Sequence, residues 1–260
     1  MQVTHWVFAG TGHKKLSFIK PAVTKKWPDE VTDCGAGYGV MAGAMDCRDA
    51  TLEAGFRYLY CDGPYWLARK PSHVRLCAQW LWHLDGPDRQ ADLDKAGCTL
   101  KDWSQGDAIV VAPSHDAVHR KAYKDGGADK WTADTIVELR KHTDRPIVVR
   151  KKDDGGPPAN IDHRIKSMDA VFATAWAIVT AGSTIGVEAV CRGVPAFSTQ
   201  HCATSQVGLE DLSRIESPFM PDMDERRQWA MNLAARQFNV DDLSSGKAVA
   251  IMREDMAWNA

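Results

Sequence analysis

Trp176-Ala-Ile-Val-Thr-Ala-Gly-Ser-Thr-Ile-Gly-Val-Glu-Ala-Val-Cys-Arg-Gly-Val-Pro-Ala-Phe-Ser198 decides how the rest of the chain is read. Ala177 to Thr180 predicts a buried strand, and Ala181 to Thr184 a turn of small residues. A short helix follows, then a second strand after Gly193-Val194-Pro195. Strand, tight turn, helix and strand in that order are the unit of an α/β layer structure. Gly182 lets the backbone approach a ligand closely. The helix start offers N–H groups and a positive dipole end, which suit a phosphate. Glu188 lies four residues beyond Thr184, shares its helix face, and can accept hydrogen bonds from sugar hydroxyls. The same residues also fit a plainer reading, with Ser183 and Thr184 as helix caps and Glu188 as a solvated acid.

Strands feeding glycine turns recur on either side of this unit. Val3 to Ala9 runs into Gly10-Thr11-Gly12, and Val31 to Asp33 into a turn at Cys34-Gly-Ala-Gly-Tyr-Gly39. Arg57 to Cys61 predicts a strand ending at Asp62-Gly63-Pro64, and His73 to Leu84 has helical spacing of apolar residues. Asp85 to Gln105 is polar without a period, and Ala108 to Ala112 is a buried strand stopped by Pro113-Ser114. The polar stretch Lys121 to Lys130, with Gly126-Gly127, marks a domain boundary. Thr132 to Lys141 predicts a helix capped by Thr132, and Pro146 to Arg150 a strand. A helix spans Met223 to Gln237, and a tail near Asp241 to Gly246 follows. Alternation of strand and helix through both halves predicts parallel sheets with helices on both faces. Residues 1–125 and 126–260 would form the two domains, with the C-terminal helix packing back on the first. Ligands would bind at the carboxyl ends of the strands.

Bulk properties narrow the function classes. The formal net charge is −2, with 32 basic and 34 acidic residues, so no broad basic face for nucleic acid is evident. Seven cysteines without a CxxC pair point to reduced thiols, not to a disulfide framework or a zinc site. No leader-like or membrane-length apolar run appears, which predicts a cytoplasmic protein with no membrane partner. His115 and His119 stand at i, i+4, but without the acid of a zinc-protease motif or a clear third ligand. They read as two partly exposed residues at a helix start. No metal site is predicted.

Two strand ends carry the remaining chemistry. Arg150 and Lys152 follow a buried strand, where both could face a diphosphate. Asp62, at another strand end, suits a general base that would take a proton from a substrate hydroxyl. Asp33 is the next choice, and an Asx-turn role for Asp62 before Gly63-Pro64 is the plain alternative. Tyr65, Trp66, Arg69, His73 and Arg75 follow closely and could hold acceptor or phosphate. Trp80 and Trp82 sit nearby, where exposed indoles could stack on a base or sugar.

The segment from Trp176 to Ser198 resembles the nucleotide-sugar-binding half of GT-B glycosyltransferases. A longer ordered set resembles a group of phage-encoded glycosyltransferases: Tyr60-Cys-Asp62-Gly-Pro-Tyr65-Trp66, Val111-Ala-Pro113-Ser114, Leu139 to Lys152, Ala177 to Pro195, Asp211 to Glu216, Pro221-Asp222 and Arg227-Gln-Trp229. About three quarters of the chain is covered, and Met1 to Gly55 is not matched. The resemblance implies two facing Rossmann-like domains with a cleft between them. It implies a uridine-diphosphate sugar held by Arg150, Lys152, Gly182, Ser183, Thr184 and Glu188. Asp62 would be the base, and Gly10, Thr11, Gly12, Tyr65, Trp66 and Arg69 would serve the acceptor. The acceptor it implies is a 5-hydroxymethylpyrimidine in double-stranded phage DNA, glycosylated in the cytoplasm of the infected host. The base would flip out to be reached, with Lys14, Lys15, Lys25 and Lys26 on the phosphates. No permanently bound cofactor and no divalent metal are expected. A surface glycan is the alternative acceptor. Asp33-Cys-Gly35-Ala-Gly37-Tyr-Gly39 also resembles the cofactor turn of S-adenosylmethionine-dependent methyltransferases, which leaves Trp176 to Ser198 without a role.

Overall fold

The computed structural model describes residues 34–39, 43–66, 73–78, 88–104, 106–151 and 168–257. Gly10, Thr11, Gly12, the four N-terminal lysines, Asp33, Arg69, Trp80, Trp82 and Lys152 lie outside them. The chain divides into two compact units. One comprises Met1–Trp82, Pro87–Gly97 and Met231–Ala260, the other His83–Gly86 and Cys98–Ala230. The division therefore precedes the strand Ala108–Ala112 instead of falling at residue 125. That strand is central to the second unit's sheet, which holds it there by hydrogen bonds on both edges.

In the first unit β1 (Cys34–Tyr38), β2 (Arg57–Asp62), β3 (His73–Ala78) and β8 (Gln237–Asn239) form a sheet in that order. Only β1 and β2 are parallel; β3 runs antiparallel to both β2 and β8. The all-parallel expectation fails here because β3 is a strand, where apolar spacing suggested a helix. Val74, Arg75, Leu76 and Cys77 are all buried, so the middle of β3 carries no period-two signature.

The predicted turn from Cys34 to Gly39 is likewise mostly strand. A Cβ on Gly35 would lie 2.4 Å from Thr51 Oγ1, on helix α1 (Ala44–Glu53), and one on Gly37 2.1 Å from the Tyr58 hydroxyl. These glycines admit close packing. The turn that the methyltransferase reading requires is not formed.

Helix α2 (Gln90–Ala96) is joined to the C-terminal helices α8 (Val240–Ser245) and α9 (Lys247–Ala257) by ion pairs: Lys95–Asp242 at 3.2 Å and Lys247–Asp92 at 2.8 Å. The expected tail near Asp241 is thus helical, started by a reciprocal capping box between Asn239 and Asp242.

The second unit holds a fully parallel sheet ordered β5-β4-β6-β7: β5 (Ile147–Val149), β4 (Ala108–Ala112), β6 (Ala175–Thr180) and β7 (Ala196–Ser198). Between β4 and β5 lie a short turn α3 (Asp116–Val118), a π-helical turn at His119–Tyr123, and α4 (Ala128–Leu139). Gly127, not Thr132, occupies the N-cap of α4; the Thr132 hydroxyl donates back to the Ala128 carbonyl. Helix α5 (Met168–Thr174) precedes β6, and α6 (Thr184–Cys191) joins β6 to β7. Ile109, Val111, Ala177, Val179 and Phe197 pack with Trp131 and Leu139 of α4 on one face. Val110, Ala112 and Ile178 pack with Val171 and Phe172 of α5, and Ile185 and Ala189 of α6, on the other. Strands buried on both faces read as unbroken apolar runs, which is why β4 and β6 were visible in the sequence.

Helix α7 (Met223–Ala235) ends two residues before Gln237, which enters β8. The division of the chain falls within it, after Ala230. Among the described residues no helix is long and apolar enough to cross a membrane.

Candidate functional site

The connection after β4 leads to α4 on one face of the second sheet, and the connection after β6 leads to α6 on the other. Between these adjacent strands the topology reverses, and the two loops part at the carboxyl ends of the strands. This is where open α/β sheets bind ligands. Gly182, at the end of β6, has φ +84°, a left-handed conformation natural to glycine. A Cβ there would stand 3.0 Å from the Tyr123 hydroxyl. Ser183 occupies the N-cap of α6, yet its side chain makes no capping bond; its N–H donates to Thr180 Oγ1 at 3.2 Å. The side chains of Ser183 and Thr184 therefore do not close off the helix start.

Thr184 and Glu188, with Arg192 at the C-cap, form the open stripe of α6, whereas Ile185, Gly186, Val187, Ala189, Val190 and Cys191 are buried. Glu188 is not merely solvated. Arg192 Nη2 lies 3.2 Å from its carboxylate, and Arg192 also pairs with Asp169. The carboxylate keeps further acceptor positions for hydroxyl donors.

Arg150 follows β5 directly, with its N–H on the Val111 carbonyl at 2.8 Å. Arg150 is half-buried, and its side chain makes no ion pair with another described residue. Lys151 instead pairs with Asp129.

His119 lies beneath the same loops and was misjudged from sequence, being fully buried. Its Nε2 accepts the Ser114 N–H at 3.1 Å, so Nδ1 carries the proton and donates to Asp125 Oδ2 at 2.7 Å. Both ring nitrogens are thereby used within the fold. The ring packs against Trp131 and Tyr123, and Trp131 Nε1 donates to Thr199 Oγ1 at 2.9 Å, beyond β7. This network fixes the loop after β4; His115 instead caps α3, its Nδ1 accepting the Ala117 N–H at 3.2 Å. Among the described residues no group of three or more His, Cys, Asp or Glu is placed to hold a metal ion.

The first unit positions Asp62 at the end of β2. Asp62 Oδ2 accepts from the Tyr60 hydroxyl at 2.5 Å and from Arg75 Nη2 at 2.9 Å; Oδ1 accepts the Gly63 N–H at 2.7 Å. Three of the roughly four acceptor positions of a carboxylate are thus filled. The side chain is 32% exposed, and among the described residues one position on Oδ1 is left for a hydroxyl donor. Burial pushes the Tyr60 hydroxyl well above its ordinary value, and the Asp62 charge adds to this, so Tyr60 stays a donor. Tyr38 is raised likewise, first by burial and then by Asp62. Arg75 lies 4.3 Å over the Tyr65 ring, and Trp66 meets Tyr65 edge-on at 6.1 Å. Arg75 is the residue that sequence reading undervalued. Its signal, a cation inside an apolar run, became informative only once that run proved to be a strand beside β2.

No family model matches the chain, and no curated protein sequence matches it. Among solved structures, the chain is similar to the β-Kdo 2,7 transferase of Thermosulfurimonas dismutans KpsC. The TM-score is 0.50 at 11% identity, over 93% of this chain and 98% of that one. The β-Kdo 2,4 transferase of the same KpsC aligns over 89% and 90%, with 12% identity and a TM-score of 0.49. At such identity the likeness to the 2,7 transferase bears on the fold alone.

Proposed function

We propose that this protein is a glycosyltransferase that takes a sugar from a nucleotide-diphosphate sugar, a uridine diphosphate in the first instance. The observation that carries the reading is the reversal between β4 and β6. There the left-handed turn at Gly182, the open start of α6 and Arg150, directly after β5, stand at the carboxyl ends of one parallel sheet. Backbone N–H groups and a cation suit a diphosphate, and Thr184 and Glu188 supply polar groups for a ribose. Arg150, with Lys152 beyond the described residues, would stabilise the leaving diphosphate without a divalent metal. The fold shared with the KpsC 2,7 transferase domain supports this, and the GT-B architecture belongs to the same proposal.

Acceptor binding falls to the first unit. Asp62 would take the acceptor proton through Oδ1 while Tyr60 and Arg75 hold Oδ2, and the alcohol oxygen would attack the anomeric carbon as the nucleotide departs. The acceptor inferred from the sequence resemblance is the hydroxymethyl group of a 5-hydroxymethylpyrimidine in DNA. A glycan acceptor is a second reading, favoured by the likeness to the KpsC 2,7 transferase, which is named for Kdo transfer. A thermal-shift panel of nucleotide sugars, with S-adenosylmethionine included, tests the donor. Transfer from the stabilising donor to hydroxymethylated duplex DNA and to glycan acceptors tests the second half. Stabilisation by S-adenosylmethionine alone would overturn the proposal.

A further inference from the structure

Asp62, Arg75 and Gln237 stand directly opposite one another across three strands, Asp62 facing Arg75 on β2 and β3, and Arg75 facing Gln237 on β3 and β8. Opposed residues of antiparallel strands share a face, with Cβ atoms about 4.5–5.5 Å apart. The three side chains therefore form one polar row. Within it Arg75 Nη2 is engaged by Asp62, and Gln237 Oε1 accepts the Trp66 N–H at 3.0 Å. Two buried nitrogens of the row, Arg75 Nε and Gln237 Nε2, have no hydrogen-bond partner among the described residues. Arg75 itself is only 9% exposed. A buried N–H without an acceptor is destabilising, so two in adjacent positions suit oxygen atoms of a ligand.

Resting on the transferase reading above, we propose that this row is the acceptor subsite and that it is shaped for a sugar. Arg75 Nε–H and Gln237 Nε2–H would donate to oxygens of a pyranose, beside the hydroxyl presented to Asp62. The charge balance favours a sugar over nucleic acid. Arg75 is already neutralised by Asp62, and recognition of DNA leans on cations free to meet phosphates. The rings of Tyr65 and Trp66, next to the row, suit the apolar face of a sugar.

The test uses the full chain and a panel of methyl glycosides, followed by saturation-transfer NMR. The variants are Gln237→Glu, which keeps an acceptor for Trp66 but removes the donor, and Arg75→Lys, which keeps the charge beside Asp62 but removes Nε–H. At least one glycoside is expected to bind the wild type. Each variant should weaken that binding roughly five- to tenfold, the worth of one hydrogen bond, with uridine-diphosphate affinity unchanged. In the unaltered protein the Arg75 Nε–H resonance should shift with the glycoside but not with uridine diphosphate, a readout that needs no variant to fold. If no glycoside binds, if both folded variants bind as the wild type does, or if that resonance is unmoved, the subsite is wrong and water fills the row. Response only to a hydroxymethylated duplex oligonucleotide would overturn the sugar assignment. Glycoside binding that meets these criteria, in a protein that neither binds nor turns over any nucleotide sugar, would uphold the subsite and overturn the transferase reading instead.

Discussion

Replacing Gly182 with alanine separates a ligand-facing turn from an ordinary helix cap. Gly182 has φ +84°, and an L-residue there costs about 1–2 kcal/mol. The added Cβ would stand 3.0 Å from the Tyr123 hydroxyl and 3.5 Å from Cys202 Cβ, tight enough that the tyrosine must yield. Its ring packs edge-on against His119 at 5.6 Å, so the shift meets resistance, adding up to about 1 kcal/mol. Reduced freedom of the unfolded chain returns about 0.4–1 kcal/mol. The net expectation is a loss of about 1–2 kcal/mol, or roughly 3–8 °C in the melting of the second unit.

Ser183→Ala is the matched control. The Ser183 side chain makes no capping bond, so its removal should cost less than about 0.5 kcal/mol, where a working cap would cost about 1 kcal/mol. Thermal unfolding followed by circular dichroism measures both. Calorimetry with uridine diphosphate should show affinity falling on the order of tenfold for Gly182→Ala. If Gly182→Ala melts with the wild type and Ser183→Ala costs a full cap, the helix start is a capped structural end and the donor argument fails.

Other expectations follow from the same geometry. Glu188→Ala should weaken donor binding with little loss of fold, because its side chain is 44% exposed and its partner Arg192 keeps Asp169; unchanged affinity by calorimetry would count against the ribose role. Asp62→Asn should abolish transfer and also destabilise the first unit by about 1.5–3 kcal/mol, since Arg75 loses a charged acceptor; near-full activity would move the base elsewhere. Tyr38, Tyr58 and Tyr60 are all raised above the ordinary tyrosine value, chiefly by burial. Their contribution to stability is complete below about pH 10 and is lost as pH rises through the folded values. Ultraviolet titration at pH 11 should find these three of the five tyrosines still protonated unless the protein has unfolded. Glu216 is held below the ordinary carboxylate value by the Thr143 hydroxyl and then by Arg145. Its contribution is present above the unfolded value and lost as pH falls through the folded one. Glu216→Gln should therefore cost less than about 1 kcal/mol at pH 7 and nothing at pH 2, by denaturant titration.

The second unit was largely legible in the sequence. Ala108–Ala112 and Ala175–Thr180 are buried on both faces of a parallel sheet, so their apolar runs needed no partner to be recognised. The turn at Gly182 and the helix after it are local, set by the small residues between two such runs. Asp62 was recognisable for a similar reason, since Gly63-Pro64 stops its strand. What the sequence could not supply was pairing. His73–Ala78 carries apolar spacing that fits a helix, and only hydrogen bonds to β2 and to residues 237–239 make it a strand. Gly35 and Gly37 look like a cofactor turn until the helix and the tyrosine that fill their missing side-chain space are known. Gln237 comes 162 positions after Arg75, and no local rule links them. The row of Asp62, Arg75 and Gln237 exists because three distant strands share one register, and register is a property of the sheet as a whole.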